Sequence, residues 1–295
     1  MTLLTQAIGF GVVQASILAI AAVGFTMQFG IANLLNLTFT EVMSVSGFAA
    51  YAAMKHGVNL WLATVVSAVV GGLLSVAINR LVYRPFQRRG TKPSTLIIVS
   101  LALNLVMQNT VLAVVGASYF TYPVTLGAES YHFLGARFSG DELIIIGLAV
   151  VLMIAMHALL RYTQLGRAMR AIASNRQLGR SSGIPAFRIE GIVWFVSGCL
   201  GGIAGVVLFL NTSTFTPSTG SSFLVVIIAA AVLGGIGDVY GAILGAIVIG
   251  EAISISALWL PSYSTVAAFV LLFATLLVRP QGIRAVFRLA GGEAA

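Results

Sequence analysis

Hydrophobic positions in this chain come in long runs, separated by short polar breaks. Nine runs stand out, at roughly 7–29, 36–54, 59–79, 94–115, 142–160, 190–210, 222–237, 240–258 and 263–278. A helix crossing a bilayer needs about 20 mostly apolar residues. The pattern therefore predicts an all-α polytopic membrane protein with about 8–10 transmembrane helices, some short or broken. The weak place is the pair 222–237 and 240–258, where Gly234-Gly235-Ile236-Gly237-Asp238 interrupts the apolar run. Short, glycine-broken segments are the usual mark of discontinuous helices in transporters. If the pair forms one broken unit, the count falls and the N-terminus changes sides.

Composition agrees. The chain is 59% hydrophobic and 8% charged, with mean hydropathy +1.02. Soluble domains carry about 25% charged residues. A single transmembrane domain over residues 1–295 is expected. The net charge of +8 would suit nucleic acid if it formed one surface, but it does not. Apart from Lys55 and Arg137, every basic residue falls in 80–92, 161–188 or 279–288. Basic clusters at the ends of apolar spans set membrane orientation. They place 80–92, 161–188 and the C-terminus in the cytoplasm and, with nine spans, the N-terminus outside. No Lys or Arg precedes the first run, so that segment is expected to stay in the mature protein.

The loops differ in kind. Residues 116–141 are expected outside, with Tyr119, Tyr122 and Tyr131 suited to the interface. Residues 211–222, NTSTFTPSTGSS, read as an external solvated cap or equally as a face for a soluble partner outside. The inner stretch 161–188 holds Arg161, Arg167, Arg170, Arg176, Arg180 and Arg188 and no acid. Leu165, Met169 and Ile172 recur there at helical spacing, with Arg167, Arg170 and Ser174 on the other face. Gly179, Gly183 and Pro185 punctuate the second half of the stretch. The spacing predicts a short amphipathic helix, a break near Ser174-Asn175 and a second short helix. Such a ridge suits a groove on a partner protein; a solvated positive-inside loop would also satisfy the pattern.

Few charges fall inside the runs, and a carboxylate at the bilayer centre costs about 2.5–3.5 kcal/mol on insertion scales. Glu251 lies mid-run, which favours a place facing the bundle interior or a polar cavity. Glu41 follows Asn36-Leu37-Thr38-Phe39-Thr40 and reads either as a first-turn acid near headgroups or as part of a pathway. Asp141-Glu142 and Glu190 read as helix-start acids that complement the dipole. Asn104 and Gln108 share a face, suited to interhelical hydrogen bonds. Gly198 with Gly202, Gly201 with Gly205, and the series Gly237, Gly241, Gly245 are small-xxx-small patterns that let helices approach closely.

Motifs for chemistry are lacking. There is no G-x-x-x-x-G-K-[ST] phosphate loop and no H-E-x-x-H. His56, His132 and His157 are scattered, so no metal or catalytic cluster is visible. Cys199 stands alone and reads as a buried hydrophobe.

Four stretches together resemble the Liv-type permease subunits of ABC importers for branched-chain amino acids and related small polar solutes. Thr163-Gln164-Leu165-Gly166-Arg167-Ala168-Met169-Arg170-Ala171, closed by Gly183-Ile184, is similar to that family's cytoplasmic coupling segment. Val232-Leu233-Gly234-Gly235-Ile236-Gly237, then Gly241-Ala242 and Gly250-Glu251, resembles its glycine-rich late span. Leu277-Val278-Arg279-Pro280-Gln281-Gly282 is similar to its C-terminal signature, and Arg84-Pro85 to the pair after its third span. The second span departs from the family's usual Asn-Phe-Ala opening: Asn36 and the acid are kept and the middle is changed.

The resemblance implies a permease in the bacterial inner membrane with a cytoplasmic C-terminus. It implies pairing with a second permease, identical or related, two ATPase subunits below and a periplasmic or extracellular solute-binding protein above. ATP and Mg would be bound by the ATPase subunits, with no cofactor and no catalytic or metal residue in this chain. Leu165, Gly166, Arg167, Met169, Arg170 and Ile172 would couple to the ATPase. Asn36, Thr38, Thr40, Glu41 and Glu251 are the candidates to line a solute path. Two alternatives stay open: an ion-coupled secondary transporter using the intramembrane acids, and an ABC permease for urea, amides or organic acids.

Overall fold

A computed structural model describes residues 3–123, 130–133 and 136–278. The apolar runs are mostly helical. In chain order the helices are α1 (Leu3–Ala32), α2 (Phe39–Lys55), α3 (Leu60–Ile78), extended by a π turn (Asn79–Tyr83) into the short α4 (Arg84–Arg88), and α5 (Pro93–Val115). Then come α6 (Gly140–Tyr162), α7 (Gln164–Ser174), α8 (Arg176–Ser181), α9 (Ala186–Asn211), α10 (Thr219–Gly234), α11 (Val239–Ala257) and α12 (Ser264–Val278). Among the described residues, six segments are long and apolar enough to cross a membrane: α1, the continuous Leu60–Arg88, α5, α6, α9 and α11. Helices α2, α10 and α12 are shorter, at 17, 16 and 15 residues. The chain is an all-α multi-pass membrane protein. A small antiparallel hairpin, β1 (Ser130–Phe133) and β2 (Ala136–Ser139), lies between α5 and α6.

Local signals set the helix boundaries. Asn59 caps α3 by accepting from the Leu62 N–H at 2.9 Å. Pro93 opens α5, and Pro185 precedes α9, where a missing N–H does no harm. The interrupted pair resolves into two separate helices. Gly235 and Gly237 take positive φ in the turn between them, and the Asp238 carboxylate caps α11 by accepting from the Tyr240 and Gly241 N–H groups at 3.0 and 3.3 Å.

The chain folds as two compact units. One comprises Met27–Pro123 and Val150–Ser222. Its centre is the packing of α2, α3 and α9. A methyl group at Gly198 would strike the Gly71 carbonyl, and one at Gly202 the Ser67 carbonyl. The Ser67 hydroxyl lies where the three helices meet, 2.8 Å from both the Ser46 and Gly202 carbonyls. We expect Gly202→Leu to force α3 and α9 apart and to cost about 1–3 kcal/mol, as overpacking does. A thermal melt of the solubilised protein measures this, and an unchanged midpoint would contradict the packing described.

The other unit comprises Met1–Thr26, Val124–Ala149 and Phe223–Ala295. Here Gly234 of α10 and Gly241 of α11 face one another, each filling the place a side chain on the other would need, and Gly245 rests on the Ala230 carbonyl. The expected ladder of Gly237, Gly241 and Gly245 is corrected in one rung. Gly237 is exposed in the turn, and Gly234 takes its place in the contact. Gly250 packs on Ala15, and the Ser254 hydroxyl donates to the Ala7 carbonyl at 2.5 Å.

Two further expectations change. Residues 211–222 are only partly solvated: Ser213, Thr214, Ser218 and Ser222 are exposed. Phe215 is fully buried, stacks on Phe209 with ring centroids 4.1 Å apart, and exchanges both backbone hydrogen bonds with Phe120 at 2.9 Å. That exchange ties 211–222 to the start of 116–141. Glu190 is not a first-turn acid: α9 begins at Ala186, and Glu190 is fully buried in its second turn. The reading of Asp141-Glu142 holds for Glu142, which accepts from the Ser139 N–H at 2.8 Å at the start of α6. Arg279 and the residues after it, including most of the C-terminal signature, lie outside the described residues.

Candidate functional site

Between α1 and α2 the backbone leaves the helix for six residues, 33–38. Asn33 starts the break at φ 49°, a left-handed conformation that asparagine tolerates. Non-helical backbone in a membrane protein persists only where protein or a wet cavity satisfies its polar groups. Here the partners are protein. The Asn36 side-chain carbonyl accepts from the Tyr83 hydroxyl at 2.7 Å and the Thr38 N–H at 3.1 Å. Its amide donates to Gln28 Oε1 at 2.7 Å, and the Gln28 amide donates to Ser75 Oγ at 3.0 Å. The Thr38 hydroxyl donates to the Ser100 carbonyl at 3.1 Å. The Leu35 carbonyl accepts from Ser100 Oγ at 3.2 Å and the Leu37 carbonyl from the Asn104 amide at 3.0 Å. Asn104 thus bonds not to another helix, as expected, but to the non-helical backbone between two of them. Gln108 is half-buried.

This network assigns work to the residues named from the sequence. Asn36 and Thr38 are buried and taken up in holding the break. Thr40 and Glu41 stand one step further on and are both fully buried. Glu41 lies in the first turn of α2. Its Oε1 accepts from the Ser221 hydroxyl at 2.5 Å. Its Oε2 has no partner among the described residues, nor has the hydroxyl of fully buried Ser44 one turn on. Gly220 fits against this face: a side chain there would strike Ser44 Oγ and the Thr40 carbonyl. Ser221 sits in the first turn of α10, so the carboxyl lies among the first turns of two helices.

Sequence reasoning missed Ser221, Ser44, Tyr83 and Gln28. Gln28 alone gave a signal, an amide inside an apolar run that it shares with Gln14. Glu251 belongs to the other unit. It is half-buried, its carboxyl lies over Gly11, where a side chain would displace it, and its Oε2 has no partner among the described residues.

The basic inner segment folds as its spacing predicts. Helix α7 ends at Ser174, Asn175 is extended, and α8 comes next. Thr163 caps α7 by accepting from the Gly166 N–H at 3.1 Å, while its hydroxyl donates to the Leu159 carbonyl of α6 at 2.5 Å. Arg170 Nη1 donates to the Leu160 carbonyl. Gly166 presses on the Leu159 and Leu160 carbonyls so closely that no side chain fits. Beyond it, Met169 and Ile172 are buried within the chain, where α7 packs against α8 and α9.

The orientation expected for the ridge is therefore corrected. Met169 and Ile172 face the chain's own helices, with Leu165 half-buried, because burying them here removes them from water without a partner. Arg167 and Arg170 are exposed and make up the outward face.

With this geometry in view, comparison with known proteins decides the family. Residues 7–278 match the family described as the branched-chain amino acid transport system permease component. The chain belongs to that family. It is 28% identical to the high-affinity branched-chain amino acid transport system permease protein LivH of Salmonella typhimurium, over 92% of each chain. It is likewise 28% identical to the corresponding BraD protein of Pseudomonas aeruginosa, over 92% of this chain and 93% of that one. A more distant likeness, 27% over 80% of this chain and 73% of the other, is to the ribose import permease protein RbsC of Escherichia coli. No solved structure matches significantly. These relatives are transport subunits, not enzymes. As a member of this family, the chain is a permease subunit of an ABC importer.

Proposed function

We propose that this permease moves branched-chain amino acids, or related small polar solutes, into the cytoplasm across the inner membrane. It would do so paired with a second permease, above two ATPase subunits that bind ATP and Mg, and below an external solute-binding protein. One observation carries the reading. Helix α7 is clamped to the end of α6 by Thr163, Gly166 and Arg170, packs against α8 and α9 with its Met169 and Ile172 buried, and leaves Arg167 and Arg170 exposed. A helix fixed in this way transmits displacement instead of absorbing it.

In this mechanism the ATPase engages Arg167 and Arg170. Closure of the ATPase dimer on ATP displaces α7, and the clamp passes that rigid movement to α6 and α9. Rocking of the helices then changes which side has access. The binding protein supplies affinity, so the permease needs only weak solute contacts. The Glu41 oxygen that has no partner among the described residues, one helical turn before the Ser44 hydroxyl, is the group on this chain best placed to make one. Asn36 and Thr38 shape the same stretch by holding its backbone, and Glu251 is the second carboxyl proposed for the path.

Glu41→Gln keeps an acceptor for Ser221 and removes the ionisable carboxyl. Uptake of labelled leucine, competed by isoleucine and valine, is expected to fall about tenfold or more, which corresponds to about 1.4 kcal/mol, at unchanged membrane level. Unaltered uptake would remove Glu41 from the path. Competition by urea, acetamide or a small organic acid, and none by isoleucine, would reassign the solute.

A further inference from the structure

The third span overshoots the hydrocarbon layer. From Leu60 to Arg88 it runs 29 residues, roughly 43 Å at 1.5 Å per residue. The hydrocarbon layer measures about 30 Å, and the bilayer with its headgroups about 40–45 Å. Arg80 stands roughly 30 Å along from Leu60, where hydrocarbon ends. Arg84 and Arg88 then extend through the headgroup layer.

The π turn at Asn79–Tyr83 affects how these arginines are presented. In an α-helix, residues four apart rotate slightly more than one full turn; in a π turn, with its i→i+5 bonds, they rotate slightly less. Arg80 to Arg84 crosses the π turn, and Arg84 to Arg88 is α-helical. The two deviations offset each other and keep the three positions in one file.

The file opens on a recess of about 400 Å³ lined by Arg80, Arg84, Pro85, Arg88 and Arg89. Arg84 is fixed there. Its Nη2 donates to the Phe187 carbonyl at 2.5 Å, and its guanidinium lies 5.7 Å from the centre of the Phe187 ring, which Arg88 also approaches at 5.9 Å. The Arg84 Nε–H is buried and has no acceptor among the described residues. Leu81, next to Arg80, is 77% exposed.

Four guanidinium groups around one recess repel one another unless a counter-charge arrives from outside. At this depth the available anion is a phosphate ester, whose oxygens match the guanidinium fork. The exposed Leu81 beside the charges suits an acyl chain. An acidic side chain of a protein partner would leave most of the recess unfilled.

We propose that this recess binds the phosphate of an anionic phospholipid, held by Arg80, Arg84 and Arg88, with Leu81 against the acyl chain. The test uses the full chain in neutral detergent, titrated with phosphatidylglycerol, with phosphatidylcholine and with inorganic phosphate, and read by native mass spectrometry. Phosphatidylglycerol is expected to bind about tenfold more tightly than phosphatidylcholine or better. The double variant Arg80→Gln, Arg88→Gln should bring the two lipids level, and Arg80→Lys with Arg88→Lys should restore part of the preference. Millimolar inorganic phosphate should not displace the lipid. Equal binding of both lipids by the unaltered chain overturns the proposal, as does an undiminished preference in the glutamine variant. Displacement by inorganic phosphate assigns the recess to a soluble anion and also overturns it. So does a glutamine variant that loses its ATPase partner while its lipid preference is intact.

Discussion

Arg167→Glu combined with Arg170→Glu is expected to abolish uptake while leaving the protein in the membrane. Breaking one hydrogen-bonded charge pair at an interface costs about 2–5 kcal/mol, so two reversals should weaken ATPase association by at least about a hundredfold. The two residues differ in what else they do. Arg170 also donates to the Leu160 carbonyl, so its loss loosens the clamp between α7 and α6. Arg167 is exposed and is the cleaner probe. The pair is checked by pull-down of the ATPase subunits with the double variant, alongside uptake and membrane level. Retained association contradicts the role given to this face. Arg167→Glu alone should weaken association with no change in thermal midpoint, which separates docking from folding.

The second large effect concerns stability. Asn36→Ala removes one side chain from three partners: Gln28, the Tyr83 hydroxyl and the Thr38 N–H. Leaving a buried polar group unsatisfied costs about 1–3 kcal/mol. With several orphaned at once, a loss of roughly 3–5 kcal/mol is expected. Thermal unfolding of the solubilised protein and its steady-state membrane level both report this. Tyr83→Phe should cost less, since the Asn36 carbonyl keeps the Thr38 N–H. A normal midpoint for Asn36→Ala would mean that the break at residues 33–38 is held by something other than this network.

Most of the fold was legible in the sequence, because apolar length and glycine punctuation are local properties. The α7–α8 hairpin was legible from Leu165, Met169 and Ile172 at helical spacing and from the break at Asn175. The direction of the ridge was not. An apolar stripe looks the same whether it faces a partner or its own chain, and only the packing of α7 against α8 and α9 decides. Glu41 was visible as an acid in an apolar run. Its partner Ser221 lies 180 residues away in a stretch of serines and threonines that reads as solvated. Phe215 sat in that same stretch, and its burial depends on Phe120, far away in the chain. Gly237 was misplaced by counting fours through a turn, where helical spacing has no meaning. The ridge, Ser221 and Phe215 all turn on long-range pairings that leave no periodic trace.

At the centre of the proposed mechanism stands the basic hairpin, which a separate ATPase subunit would move. Purified permease in liposomes, assayed for labelled leucine with its binding protein present, is the decisive assay. With ATPase subunits and ATP, solute should accumulate. With the permease alone, under an imposed proton or sodium gradient, it should not. Accumulation by the permease alone would mean that the hairpin is not the drive.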